Sequence, residues 1–163
     1  MQRRHFLTLT LAGVAAVGLG GCGFRLRGSG SAISQLDELA IAGVDSDLSR
    51  LLRRELEGRG TRVTSEASRQ LNLGTEEIRQ YRLSVLDAGS QEEEMTLRIP
   101  FSVQRREDAA YLLSEQTLAV STRYTVNSDN LLTQQEQRDE ARDQLRQDAA
   151  HQLVERLNAL APR

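Results

Sequence analysis

Between Glu76 and Val126 the chain alternates apolar and polar residues with a period of two, so each strand it forms carries one apolar face. Met95, Leu97, Ile99, Phe101 and Val103 alternate with Thr96, Arg98, Pro100, Ser102 and Gln104. Tyr81, Leu83 and Val85 alternate with Arg82 and Ser84. Leu112, Leu118, Val120, Tyr124 and Val126 share a third register, interrupted at Ser114 and Gln116. Asp87-Ala88-Gly89-Ser90 and Arg106-Glu107-Asp108-Ala109 supply turn chemistry between the runs. Strands that are apolar on one side form an antiparallel sheet that must be covered on that side only. Pro100 cannot donate to a ladder, which predicts a bulge or an edge-facing position there.

The cover comes from the flanks of this meander. Leu39-Ala40-Ile41, bounded by Gly43, reads as a first strand. In the stretch VDSDLSRLLRRELEGRG that follows, Asp45 or Ser46 caps a helix, and Leu48, Leu51, Leu52 and Leu56 form one stripe. Gly58 and Gly60 offer a left-handed exit. After Asn127-Ser128-Asp129-Asn130 the period returns to 3.6, with Ala141, Leu145, Ala149, Leu153, Val154, Leu157 and Leu160 on one side and Pro162 beyond the end. Leu131 and Leu132 either staple the start of this last helix or stay exposed, where they would touch a partner or acyl chains. The order strand, helix, three strands, helix predicts an α+β fold. Its form is a small antiparallel or mixed four-stranded sheet with two helices packed on one face, in a single sandwich domain over residues 37–163.

Little in this chain suggests catalysis. The composition has 1 Cys, 2 His and no Trp, and no HExxH, GxSxG, Walker or zinc-ligand spacing occurs. His151 lies on a solvated helix face, so the reading is no catalytic residue, no metal and no cofactor: a binding or assembly module rather than an enzyme. Every basic side chain is Arg, the net charge is −2, and no basic stripe of the kind nucleic acid requires is present.

The N-terminus bears on location. Arg3 and Arg4 precede Leu7–Gly21, an uncharged run of about 15 residues, shorter than the roughly 20 that cross a bilayer as a helix. It ends in Leu19-Gly20-Gly21-Cys22, which resembles the lipobox of bacterial lipoproteins. That resemblance implies a signal peptide over residues 1–21, cleaved between Gly21 and Cys22. A diacylglycerol and an N-acyl chain such as palmitate would then sit on Cys22, and residues 22–36 would be the lipidated N-terminus and tether. Two acyl chains already suffice for stable anchoring. Arg3-Arg4-His5-Phe6-Leu7 also resembles a twin-arginine export signal, with the general secretory route as the other reading. Gly23 stands where an Asp would resemble an inner-membrane retention signal, which points to the outer membrane.

Cys22-Gly23-Phe24-Arg25-Leu26-Arg27-Gly28 resembles the mature start of the LptE family of Gram-negative bacteria, and the order of elements is similar over nearly the whole chain. The resemblance implies a lipid-anchored outer-membrane protein that plugs and helps assemble the LptD β-barrel, the pair inserting lipopolysaccharide into the outer leaflet. Its partners would be an LptD-like barrel and lipopolysaccharide, with no nucleic acid. A periplasmic lipid carrier, or the recruiting lipoprotein of another envelope transport complex, is the alternative. The family's basic residues at the tip of the hairpin after the second strand, and just before the last helix, do not carry over. Leu86-Asp87-Ala88-Gly89-Ser90 holds an acid, and the stretch from Asn130 to Gln135 holds no base. Arg82 and Arg98, predicted on the polar face of the meander, are the candidates left for lipopolysaccharide contact, through bidentate pairing with lipid A phosphates. The other reading of each is an ordinary cross-strand ion pair.

Overall fold

The computed structural model describes residues 36–85, 90–127 and 130–160. Strand β1 (Glu38–Gly43) leads into helix α1 (Asp47–Gly58), then a two-residue strand β2 (Arg62–Val63) and β3 (Arg69–Leu73). Three longer strands follow, β4 (Glu77–Val85), β5 (Ser90–Arg105) and β6 (Tyr111–Asn127), and the 28-residue helix α2 (Leu131–Asn158) completes the order. All six strands join in one mixed sheet. β1 pairs in parallel with β2 and with β3, whereas β3, β4 and β6 all pair antiparallel with β5.

The α+β class and the two helices on one face agree with the sequence reading, but the expected four strands become six. β2 and β3 were missed for a physical reason. β2 is two residues long, and Arg69-Gln70-Leu71-Asn72-Leu73 has only two apolar positions, too few for periodicity to register.

Both helices start at their sequence signals. Ser46 caps α1 in a capping box: its Oγ accepts from Ser49 N–H at 3.1 Å, and Ser49 Oγ accepts from Ser46 N–H at 2.9 Å. Asn130 caps α2 by accepting from Leu132 N–H and Thr133 N–H. The left-handed exit from α1 is at Gly60 alone (φ 94°).

The core lies between the sheet and the helices. Leu48, Leu52 and Leu56 of α1, and Leu145, Leu153 and Leu157 of α2, meet Met95, Leu97, Ile99, Phe101 and Val103 of β5, all essentially inaccessible. Leu118 and Val120 of β6 lie opposite Ile99 and Leu97. The guanidinium of Arg156 sits 5.5 Å from the centroid of the Phe101 ring.

Three irregularities set which side chains face where. Pro100 is inside the sheet, not at an edge, and the neighbouring strand breaks opposite it: the ladder runs through Leu73↔Phe101 and resumes at Glu77↔Arg98. Between them Gly74 N–H donates to the Pro100 carbonyl at 2.8 Å. β3 and β4 therefore occupy one edge of β5 in succession, interrupted where β5 has no N–H to give. The second irregularity is on β6, where two register shifts fall between Phe101 and Gln104, at the predicted interruption around Ser114 and Gln116.

The third corrects the sequence reading. Ile78 faces Leu97 and the core, which puts Tyr81 on the uncovered side, and the register shifts again between Arg82 and Ser84, around Leu83. Tyr81 and Leu83 are 48% and 43% exposed, so the apolar alternation of β4 does not face the helices. A one-residue offset turns every side chain over, and β4 lies outside the cover of α2, which packs along β5 and β6.

Gly43 has φ 127°, and a Cβ there would lie 2.1 Å from the Leu73 carbonyl oxygen, whereas a Cβ at Gly58 would meet nothing within 4 Å. Gly43→Ala is expected to cost about 2 kcal/mol or more, and Gly58→Ala to stabilise by up to about 1 kcal/mol. Urea unfolding of the two variants reads both signs.

Candidate functional surfaces

The sheet has a covered face and a bare one. On the bare face Thr96, Arg98 and Pro100 of β5 lie opposite Ser121, Ala119 and Thr117 of β6. Two arginines there are paired, Arg79 Nε donating to Glu77 at 2.8 Å and Arg123 Nε to Glu94 at 3.3 Å, while Arg98 is exposed with no ion pair among the described residues. Toward β3, Asn72 Nδ2 donates to Ser102 Oγ and to Gln104 Oε1, both at 3.2 Å, and accepts from Gln70 Nε2 at 2.7 Å. Hydroxyls, amides and charges, with Tyr81 among them, make a largely polar wall.

The helical side is held by ion pairs at its seams. Arg146 of α2 reaches Asp47 and Glu76, each at 3.2 Å, and Glu76 also accepts from Leu48 N–H at the start of α1. Arg59 pairs with Glu55 at 2.7 Å and Glu155 at 3.1 Å. His151 is exposed beside this pair, its Nδ1 3.0 Å from Arg59 and 3.3 Å from Glu55. It belongs to a surface network.

A cluster that periodicity did not single out lies where α2 crosses the sheet. Glu93 is 6% exposed and accepts from Tyr124 Oη at 2.7 Å and from Arg138 Nη2 at 3.2 Å. Arg82 stands opposite Glu93 across the β4–β5 pair. Burial by itself would push the Glu93 carboxyl up, but the bonds from Arg138 and Tyr124 and the charges of Arg138 and Arg82 outweigh it and hold the carboxyl below its ordinary value. Burial, then the bond to Glu93 and its charge, push the Tyr124 phenol up to about 12. A signal existed: Glu93 has the parity of Met95 and Leu97, and Arg138 lies three residues before Ala141 on the buried stripe.

The sequence candidates divide. Arg82 and Arg98 are both exposed but on opposite faces, Arg82 on the helical side and Arg98 on the bare face opposite Glu77, so they do not share the polar face expected of them. Leu131 and Leu132 are 79% and 69% exposed, so they do not staple α2. Cys22, the Gly21–Cys22 cleavage point, residues 22–35 of the expected tether and the hairpin tip at residues 86–89 lie outside the described residues, while Leu36, the last residue assigned to the tether, is buried in the core. Among the described residues no group of His, Cys, Asp and Glu is placed to hold a metal, and no helix is long and apolar enough to cross a membrane.

An α+β layer with one covered face and one bare, largely polar face has the form of a binding or assembly domain. Comparison with known proteins supplies the family. The LptE lipopolysaccharide-assembly family model matches residues 32–157, and the chain belongs to that family, which is non-enzymatic. It is 29% identical over 161 residues to the LPS-assembly lipoprotein LptE of Pectobacterium atrosepticum, covering 94% of this chain and 86% of that protein. The same fold occurs in a lipoprotein B of Nitrosomonas europaea (TM-score 0.65, 18% identity, 85% of this chain and 92% of that one). It occurs again in a minor lipoprotein of Acinetobacter baumannii (TM-score 0.61, 17% identity, 76% and 93%).

The Glu93 cluster sets two pH limits. A carboxyl held below its ordinary value near 4.5 stabilises the fold above that pH, and the contribution is lost as pH falls through the folded value. A phenol raised from 10.0 to about 12 stabilises below pH 10, and that contribution is lost as pH rises toward 12. Glu93→Gln is expected to reduce the acid dependence and Tyr124→Phe the alkaline one, in urea unfolding repeated across pH.

Proposed function

We propose that this chain is a lipid-anchored outer-membrane protein that plugs an LptD-like β-barrel, helps it assemble, and with it places lipopolysaccharide in the outer leaflet. The observation that carries this reading is the bare, largely polar face of the sheet in a protein of the lipopolysaccharide-assembly family. The lumen of an outer-membrane barrel is polar, and a polar wall of this kind suits it. Cys22, acylated, would hold the plug at the inner leaflet, and the Gly28-Ser29-Gly30-Ser31 tether would give it reach. A lipid carrier would need an apolar cavity. Clefts in the described part of the chain are instead lined by groups such as Asp47, Arg50, Asp143 and Arg146, which disfavours that alternative.

Purification of the native protein from detergent-solubilised outer membranes is expected to yield a stoichiometric barrel partner. Bound lipid on the isolated chain, with no barrel, would instead support the carrier. Cys22→Ala is expected to lower surface lipopolysaccharide without abolishing it, because lumen contacts persist; complete loss would show that the anchor does more than concentrate the plug.

For lipopolysaccharide itself, Arg82 is the better placed of the two arginines. It neighbours the Glu93–Arg138 pair, and Leu131 and Leu132 offer exposed apolar surface two turns before Arg138 on α2. A guanidinium would meet phosphate while the leucines meet acyl chains. Arg82→Ala is expected to weaken lipopolysaccharide binding about threefold to tenfold, and Arg98→Ala to leave it unchanged, in binding to purified lipopolysaccharide at two salt concentrations.

A further inference from the structure

The free edge of β6 is open, and its direction can be worked out from the proline. The Pro100 carbonyl accepts from Gly74 on the β3–β4 side, and Arg105 N–H, of the other parity, donates to the Ala110 carbonyl on the β6 side. Even-numbered residues of β5 near Pro100 therefore turn their backbone groups away from β6. The β6 residues opposite them, Thr117, Ala119, Ser121, Arg123 and Thr125, must turn theirs out of the sheet. All five are exposed, and among the described residues β6 pairs with β5 only. Over Thr117–Thr125 this leaves a row of N–H and C=O groups about 27 Å long.

Natural sheets blunt such edges with proline, lysine, bulges or short strands. Those devices are absent here. Residues 117–127 hold no Pro or Lys, and the register from Pro100↔Thr117 to Ser90↔Asn127 is unbroken. Arg123 is drawn back over the sheet by Glu94. The other long outer strand, β4, is shorter and carries a register shift at Arg82/Ser84. Beside the β6 edge, a cleft of about 330 Å³ opens between β6 and α2, lined by Thr122, Tyr124, Gln137, Glu140 and Gln144 among others. Within it the Gln137 Oε1 acceptor is buried without a hydrogen-bond partner. The cleft holds acceptors and one acid but no base.

We infer that the β6 edge from Thr117 to Thr125 receives an extended segment of the barrel partner by strand addition, with an Arg, Lys or amide side chain of that segment entering the cleft toward Gln137 and Glu140. The inference rests on the plug reading and names the surface through which the plug is held. Only an extended polypeptide satisfies alternating donors and acceptors along an edge. A barrel wall is closed and has no edge of its own, so the added strand comes from a loop or terminal segment of the partner. A second copy of this chain fits less well. Its β6 would present Leu118, Val120, Thr122 and Tyr124 on the helical side, none of them basic, and Tyr124 Oη is already given to Glu93.

Amide hydrogen exchange with residue resolution tests this, on the lipidated chain alone and co-purified with the LptD homologue of the same organism. In the free chain the amides of Thr117, Ala119, Ser121, Arg123 and Thr125 are expected to exchange far faster than those of Leu118, Val120 and Thr122. In the complex they are expected to slow by about a hundredfold or more. Ser121→Pro, which removes an N–H unused by the fold, is expected to keep the urea midpoint and weaken the complex about tenfold or more. A complex in which the five amides stay fast overturns the inference and leaves the plug intact. Failure of the wild-type chain to hold the barrel at all overturns both. Slow exchange in the free chain that depends on its concentration assigns the edge to a second copy and overturns the inference.

Discussion

Covering one face of β5 is the constraint from which the rest of the architecture follows. Met95, Leu97, Ile99, Phe101 and Val103 are buried to within 2% of full exclusion. Each such side chain gains about 1.5–3 kcal/mol by leaving water, a sum that must offset the entropy of ordering the chain. α1 and α2 are amphipathic because they have this one surface to meet. Since both lie on the same side, the opposite side of the sheet has no cover among the described residues and is built largely from hydroxyls, amides and charged side chains. The arrangement leaves a thin module with two unlike faces, which suits a protein whose work is to fit against something else.

What was legible in the sequence is what burial wrote there with a strong period. Both helices, the first cap to within Asp45 or Ser46, and the apolar registers of β5 and most of β6 could be read directly. β2 and β3 could not, because short strands held by neighbours need few apolar residues of their own. β4 was read in the wrong register because its alternation is set by an edge that the helices do not reach. There Tyr81 and Leu83 face solvent and Ile78 alone joins the core margin. The Glu93–Tyr124–Arg138 cluster was legible in principle: an acid at core parity and an arginine on a buried stripe are two violations that explain each other. Read separately, each looked like ordinary surface charge.

Membership of the LptE family and the physical layout agree on a role without chemistry. The ion pairs at the helical seams, Arg146 with Asp47 and Glu76 and Arg59 with Glu55 and Glu155, hold the two helices in place over the sheet. They leave the bare face and the β6 edge as the surfaces not already spoken for. Under the proposed plug role, stiffness of this kind would keep the outline of the domain constant inside the barrel.

Pro100 has a consequence for how this sheet can change over time. Its ring nitrogen lies on the side of β3 and β4, at the break between Leu73↔Phe101 and Glu77↔Arg98 where the ladder on that edge is interrupted. Slide β5 by one position and the same ring would confront the unbroken ladder of β6. The imino acid thus works as a notch on a key, penalising single-residue insertions and deletions on either side even when the greasy pattern would survive them.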